Sequence, residues 1–182
     1  MLINEDRQGI EEQYSQACTS SNLRVEADKR SPADVLIASG MSHSRIGGAL
    51  MRLRGEYGSD SVPRRSATET DHRLMMGRLK TLPAVLAAVT AQAQHWGIDR
   101  PEAVALAVVS HFLDNLCRHC EGRGKRRIED TPALSAINCK HCRGQGRIDL
   151  THGSAGRRIE GFISDCVNRW RVSTSRKLHE IR

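Results

Sequence analysis

The chain has 182 residues, of which 38% are hydrophobic and only 3% aromatic, and its formal net charge is +7. This length suits one domain or one domain with an appendage, and a core poor in aromatics favours packed helices over a β-sandwich. The sequence has no apolar run of about 18 residues or more, which argues against a membrane-spanning helix. Its first residues lack a basic start followed by an apolar stretch, so we expect no secretion signal, a cytoplasmic location and reduced cysteines.

The positive charge is concentrated in the last third of the chain. Residues 1–116 carry 13 Lys/Arg and 14 Asp/Glu, whereas residues 117–182 carry 15 and 7. A basic region of this kind is typical of proteins that bind a polyanion, most simply nucleic acid. The alternative is a solvated basic face without a partner.

The N-terminal part of the chain predicts a tail followed by short helices. Residues 1–30 are polar with weak periodicity, which predicts a mobile tail containing one short helix near Gly9–Cys18. Ser31 followed by Pro32 predicts a helix start with Ser31 as the N-cap. Glycines interrupt the pattern that follows, so we expect two short helices within residues 33–54.

Further helices are predicted on either side of the cysteine-rich region. We expect helices over 67–80, from Pro83 to about His95 with Gly97 as its C-cap, and from an N-cap at Asp99 to Leu116, directly before the first clustered cysteine. C-terminal to the cysteine region, apolar residues recur on one helical face, and Arg157 points away from them. These apolar residues are Ile159, Phe162, Ile163, Cys166, Val167 and Trp170. The same pattern makes Cys166 a predicted core residue.

The cysteine-rich region contains the same pattern twice. Cys117-x-x-Cys120-x-Gly-x-Gly is repeated as Cys139-x-x-Cys142-x-Gly-x-Gly, with 18 residues between Cys120 and Cys139. Two residues between cysteines let both sulfurs meet one metal ion, and two such knuckles complete a tetrahedral site of four thiolates. The spacing therefore predicts one structural Zn²⁺ ion and a zinc hairpin of two short strands. Two redox dithiols are the alternative, and the neighbouring His119 and His141 are weaker candidate ligands.

Many basic residues surround these ligands, and a metal would hold their backbone in place. The candidate phosphate contacts are Arg118, Arg123, Lys125, Arg126, Arg127, Lys140, Arg143 and Arg147.

A second stretch, upstream of the cysteines, reads Ala33-Asp34-Val35-Leu36-Ile37-Ala38-Ser39-Gly40-Met41, followed by Gly47-Gly48-Ala49-Leu50. The cysteine pattern alone is not specific, because DnaJ-type chaperones carry it in several copies. The combination of both stretches, over roughly residues 31–170, resembles the Q antitermination proteins of lambdoid phages, particularly the lambda type.

This resemblance implies a function in the bacterial host cell. A protein of this kind would bind double-stranded DNA overlapping a phage late-gene promoter, engage host RNA polymerase paused under its primary sigma factor, and make the enzyme read through terminators. The resemblance also implies that the zinc element is inserted between the two helices of a helix-turn-helix. Here those helices would be residues 103–116 and a recognition helix at about 154–169.

Recognition helices contact bases through their N-terminal residues. Ser154, Arg157 and Arg158 are therefore the predicted base-contacting residues, with an ordinary solvated first turn as the alternative.

The expected fold is mainly α: a small helical bundle with a zinc-binding β-hairpin inserted in a helix-turn-helix-like unit. We expect a mobile tail over 1–30, a helical domain over 31–116, the zinc hairpin over 117–149 and a basic C-terminal helix over 150–182. Two other functions compete with antitermination. One is a zinc-stabilised, chaperone-like module that binds unfolded protein, and the other is a simple zinc-containing DNA-binding repressor or activator. The sequence shows no phosphate loop, two-His zinc motif or nucleophile–base set, so we expect no enzymatic activity.

Overall fold

The computed structural model describes residues 9–24, 30–58, 76–127 and 134–181. In these ranges the chain is mainly helical with a small two-stranded sheet, as predicted. The helices are α1 (Ile10–Thr19), α2 (Pro32–Gly40), α3 (Arg45–Gly58), α4 (Leu82–His95), α5 (Pro101–Leu113) and α6 (Gly153–Glu180), and the antiparallel strands are β1 (Lys125–Arg127) and β2 (Leu134–Asn138). Across the described ranges, the structure holds no helix with both the length and the apolarity that crossing a membrane requires.

The chain forms two compact units. In the described ranges, the first unit comprises residues 9–24, 30–58, 76–88 and 161–181, and the second comprises residues 89–127 and 134–160. Helices α4 and α6 each contribute residues to both units. The first unit is therefore assembled from segments that lie far apart in the sequence.

In the first unit, α1 is the short helix predicted near residues 9–18. It buries Ile10, Tyr14 and Ala17, which recur on one helical face, and it contacts α2 and α3. The sequence predicted this helix but not its packing against the core.

Helix α2 begins where the sequence predicted. The Ser31 side chain accepts a hydrogen bond from the Asp34 backbone N–H, and the Asp34 carboxylate accepts one from the Ser31 N–H at 2.8 Å. This capping box satisfies two N–H groups that the helix itself leaves without acceptors. Helices α2 and α3 are the two short helices predicted within 33–54, although α3 continues to Gly58.

The core of the first unit is centred on α6. Trp170 is fully buried, donates its indole N–H to Ser39 Oγ at 3.1 Å and meets the Tyr14 ring edge-on at 5.2 Å. A Cβ atom added to Gly47 would lie 2.2 Å from the Cys166 carbonyl oxygen, so only glycine permits this close helix crossing. Cys166 is buried, as its position on the apolar face predicted.

In the second unit, the start of α5 differs from the prediction. Helix α4 ends at His95 and Gly97 has φ +66°, as a C-cap glycine should. The N-cap of α5 is Arg100 with φ 49°, not Asp99, and it makes no side-chain capping bond. The prediction was wrong because Pro101 holds the first helical position, which makes its immediate neighbour the N-cap.

Helix α5 also ends earlier than predicted. It stops at Leu113, and Asp114 is extended with φ −149°. The Asp114 carboxylate accepts the backbone N–H of Leu116 at 3.0 Å, a local bond that competes with continuing the helix. Most of the helix predicted over 67–80 lies outside the described residues. In its described part, residues 76–78 are helical.

Helix α6 is longer than the predicted recognition helix at 154–169, since it extends to Glu180. The predicted apolar face is largely buried, with Phe162 half-buried. The fully or nearly fully buried members are Ile159, Ile163, Cys166, Val167 and Trp170.

Candidate metal centre

The four predicted ligands converge at one point. The sulfurs of Cys117, Cys120, Cys139 and Cys142 all lie within 4.8 Å of one another, and all four residues are buried. The Cys117–Cys139 and Cys120–Cys142 sulfur distances are 3.9 Å and 3.6 Å. A tetrahedron with metal–sulfur bonds of roughly 2.3 Å places its sulfurs about 3.8 Å apart, so these thiols can bind one metal ion.

The two knuckles repeat the same hydrogen bonds. Gly124 N–H donates to Cys120 Sγ at 3.3 Å, and Gly146 N–H donates to Cys142 Sγ at 3.2 Å. In each knuckle the other glycine donates its N–H to the carbonyl of the first cysteine, at 3.1 Å in one half and 3.2 Å in the other. All four glycines have φ between +71° and +89°, which is the conformation that glycine adopts without strain.

The halves also interlock through their backbones. A Cβ atom on Gly124 would lie 2.2 Å from the Gly144 carbonyl oxygen, and one on Gly146 would lie 2.2 Å from the Gly122 carbonyl oxygen. The Cys117 N–H donates to Gly146 O at 2.9 Å, and the Cys139 N–H donates to Gly124 O at 2.8 Å. The glycines therefore serve both the turns around the sulfurs and the contact between the halves.

Hydrogen bonds and burial shift the pKa values of two of the thiols in opposite directions. Hydrogen bonding from the Cys142 backbone lowers the pKa of Cys139 to about 7. Burial raises the pKa of Cys117 to about 11. A divalent metal binds the thiolate form, so metal binding displaces protons from this site.

The two histidines of the knuckles are not among the converging ligands. The His119 and His141 rings are exposed and stack in parallel, with centroids 3.3 Å apart and an interplanar angle of 6°. Each is the counterpart of the other in the repeat, so their contact follows from the pairing of the halves.

We call residues 117–149 the four-cysteine module. An antiparallel bridge between Leu116 and Arg147 closes its base, and the Ile148 N–H donates to Asn115 O at 2.9 Å. Strands β1 and β2 pair between the knuckles, from Lys125 opposite Asn138 to Arg127 opposite Leu134. The first and last residues of the module therefore lie next to each other, between α5 and α6.

The predicted phosphate-contacting residues lie on this module. The exposed ones are Arg118, Arg123, Lys125, Arg126, Lys140, Arg143 and Arg147, and the backbone of Arg127 lies in β1. Arg123 forms an ion pair with Glu121 at 3.2 Å. Most of these cations therefore extend into solvent from a backbone that the cysteines hold.

The predicted base-contacting residues lie in the first turns of α6. Ser154, Arg157 and Arg158 are all exposed. The guanidinium of Arg158 lies over the Trp96 ring, 4.3 Å from its centroid. The sequence indicated these three residues but not the partner of Arg158, because Trp96 is more than 60 positions earlier in the chain.

His111 of α5 is a further residue that the sequence did not identify. Its Nε2 lies 3.0 Å from the Ile148 carbonyl oxygen, and its Nδ1 lies 4.0 Å from a Glu160 carboxylate oxygen. The ring thus joins α5 to the segment behind the module and to the start of α6. The one signal in the sequence that could have indicated this role is the position of His111 near the end of α5.

No family model, no curated protein and no solved structure matches this chain.

Proposed function

We propose that the four-cysteine module binds one structural Zn²⁺ ion. The supporting observation is the convergence of four buried sulfurs at tetrahedral spacing. Four thiolates use all positions of a tetrahedral zinc ion, so no position remains for water or substrate and the ion has a structural role. Elemental analysis of purified protein should give one zinc per chain, and Cys139→Ser should abolish it.

We further propose that the protein is a zinc-stabilised transcription factor that binds double-stranded DNA. The observation that carries this proposal is the set of exposed cations on a metal-organised backbone, directly before a helix with exposed arginines in its first turns. Lys and Arg side chains gain affinity for DNA by neutralising phosphates, and pre-ordering their backbone lowers the entropy cost of binding.

The order α5, four-cysteine module, α6 supports a helix-turn-helix-like unit with the metal element inserted between its helices. In that arrangement the first turns of α6 would enter the major groove, with Ser154 and Arg157 near base edges and the cations of the module near phosphates. The closed base of the module supports this proposal, because an insertion with adjacent ends leaves the flanking helices free to pack.

Within this class we propose late-gene antitermination, in line with the resemblance to the lambdoid Q proteins. The DNA partner would be a phage late promoter, and the protein partner would be host RNA polymerase with its primary sigma factor. The motifs at 33–50 and 117–146 support this specific function.

DNA binding can be tested by fluorescence anisotropy with a labelled promoter duplex and a scrambled duplex. We expect affinity to fall steeply with salt, because bound cations release counterions from the DNA. Arg157→Ala should reduce the preference for the promoter, whereas Arg126→Ala should weaken binding to both duplexes equally. Equal losses on both duplexes for the two variants would contradict the role of α6 in base recognition.

Antitermination can be tested by transcription in vitro from the late promoter through a terminator. We expect the protein to raise readthrough when polymerase starts at that promoter and not at an unrelated promoter. A change in initiation without any change in readthrough would instead indicate the repressor or activator alternative.

A second candidate function is favoured by one observation. Leu134 and Ile137 on β2 are 42% and 59% exposed, and Ile148 is 48% exposed, so the module presents apolar side chains to solvent. Apolar side chains of this kind suit a chaperone-like module that binds unfolded protein. This function predicts that the protein suppresses aggregation of a denatured client, and that Ile137→Ser reduces the suppression without changing DNA affinity.

A further inference from the structure

A groove in the second unit is unexplained by the metal centre. It has a volume of about 540 Å³ and lies between the turn that joins α4 to α5 and the first turn of α6. Its lining includes Trp96, Asp99, Arg100, His152, Ser154 and Arg158. The groove thus combines one aromatic ring, two permanent cations and an imidazole with a single carboxylate.

Arg158 is held in this groove in a way that leaves its donors available. Its guanidinium lies 4.3 Å from the centroid of the Trp96 ring. Stacking uses the face of the planar guanidinium, whereas its five N–H donors point outward in the plane. Arg158 can therefore keep its contact with Trp96 and donate hydrogen bonds to an anion at the same time.

Arg100 supplies the second permanent charge of the lining. It is the N-cap of α5, exposed, with a left-handed backbone at φ 49° and ψ 58°. His152 adds an imidazole N–H donor, and Ser154 adds a hydroxyl. Among the described residues of this lining, Asp99 is the only acidic one, so arginine charges predominate there.

We propose that this groove binds a phosphate group of nucleic acid, with Arg100 and Arg158 as its principal ligands. Guanidinium groups bind phosphate oxygens through paired, charge-assisted hydrogen bonds. The identification of the polyanion as DNA rests on the proposed function, whereas the affinity of the groove for phosphate does not. This proposal gives different roles to two residues that the sequence predicted to contact bases: Arg158 binds the DNA backbone instead, and Arg157 keeps its role at the bases.

The test uses the full-length, metal-loaded protein, a labelled duplex and inorganic pyrophosphate. Arg100→Asn removes the charge while suiting the left-handed backbone, and Arg158→Gln removes the second cation. Arg176→Gln is the matched control, since Arg176 lies near the other end of α6 and is 63% exposed. Each groove variant should weaken duplex binding about tenfold, for specific and scrambled sequences alike, and lower the salt slope by about one. The control should change affinity less than twofold.

Trp96 provides a second readout that is independent of affinity. Trp170 is fully buried, so the tryptophan emission that acrylamide quenches comes mainly from Trp96. Duplex and pyrophosphate should each protect this emission in the wild type and fail to protect it in Arg100→Asn. Asp99→Asn should increase affinity for both ligands about twofold, because it removes the only carboxylate of the lining.

The outcomes separate the site from the proposed function. If the groove variants match Arg176→Gln and Trp96 stays unprotected while the duplex binds, the phosphate site is overturned and DNA binding stands. If pyrophosphate protects Trp96 but no duplex binds, the phosphate site stands and the proposed function fails.

Discussion

The four-cysteine module and the first helical unit differ in the side chains that they bury. In the module the buried cluster consists of cysteines, and β2 is largely exposed. In the first unit, large side chains such as Trp170, Leu50 and Leu53 are fully buried. Stability that depends on burial is distributed over many contacts, whereas stability that depends on a metal is concentrated in four sulfur atoms. The two regions should therefore respond differently to substitution, chelation and pH.

The largest expected effect is the loss of a ligand. Cys139→Ser or a strong chelator should remove the metal, whose binding contributes roughly 10–16 kcal/mol in small zinc domains. Hydrogen exchange should then show lost protection in residues 117–127 and 134–149, while α2, α3 and the C-terminal part of α6 stay protected. Cys18→Ser is the control, because Cys18 is exposed and outside the cluster. Full protection of the module in metal-free protein would contradict the expectation that its stability depends on the metal.

The opposite experiment removes the core of the first unit. Trp170→Ala should lower the free energy of unfolding by about 3–5 kcal/mol, because it leaves a cavity and removes the contact with Tyr14. Urea unfolding followed by circular dichroism measures this change, and the metal content should remain one ion per chain. Val172→Ala on the same helix is the control, since Val172 is 63% exposed and should change stability by less than about 0.5 kcal/mol. Loss of metal in Trp170→Ala would show that the two regions depend on each other.

A smaller effect is expected from the glycines that join the knuckles. Gly124→Ala forces a side chain at φ +71° and places Cβ 2.2 Å from the Gly144 carbonyl oxygen. We expect a cost of at least about 2 kcal/mol, measured as roughly 30-fold weaker metal affinity in competition with a chelator. Gly161→Ala is the contrasting control, because no atom lies within 4 Å of its added Cβ atom. In the interior of α6 that change should raise stability by up to about 1 kcal/mol.

The smallest expected effect, taken per pH unit, is the pH dependence of metal binding. In the metal-free site the pKa of Cys117 is about 11 and that of Cys139 is about 7. Between pH 7 and pH 11 the metal must displace at least the Cys117 proton, so its apparent affinity should rise by at least about tenfold per pH unit. Below pH 7, protonated Cys139 adds a further proton that the metal must displace, so the affinity should fall more steeply. Chelator competition at a series of pH values measures the affinity, and proton release in weak buffer counts the displaced protons. An affinity independent of pH would show that the thiols are already ionised.

Features set by neighbours in the chain were predictable from the sequence. The Cys-x-x-Cys-x-Gly-x-Gly repeats, the Ser31 N-cap and the buried face of α6 all depend on residues a few positions apart. The sequence missed the N-cap of α5 and its end at Leu113, where Pro101 and the Asp114 carboxylate determined the local structure. It also missed the packing of α1, because polar residues around Ile10, Tyr14 and Ala17 weakened the periodicity.

By itself, the sequence determined which atoms can bind a metal, where α2 begins and which face of α6 is apolar, since each follows from spacing along the backbone. Tertiary structure alone decided that Gly47 meets the carbonyl of Cys166, that His119 stacks on His141 and that Trp96 supports Arg158. These contacts join residues between 22 and 119 positions apart. The distance between such residues depends on the path of the chain between them. Local propensities do not specify that path.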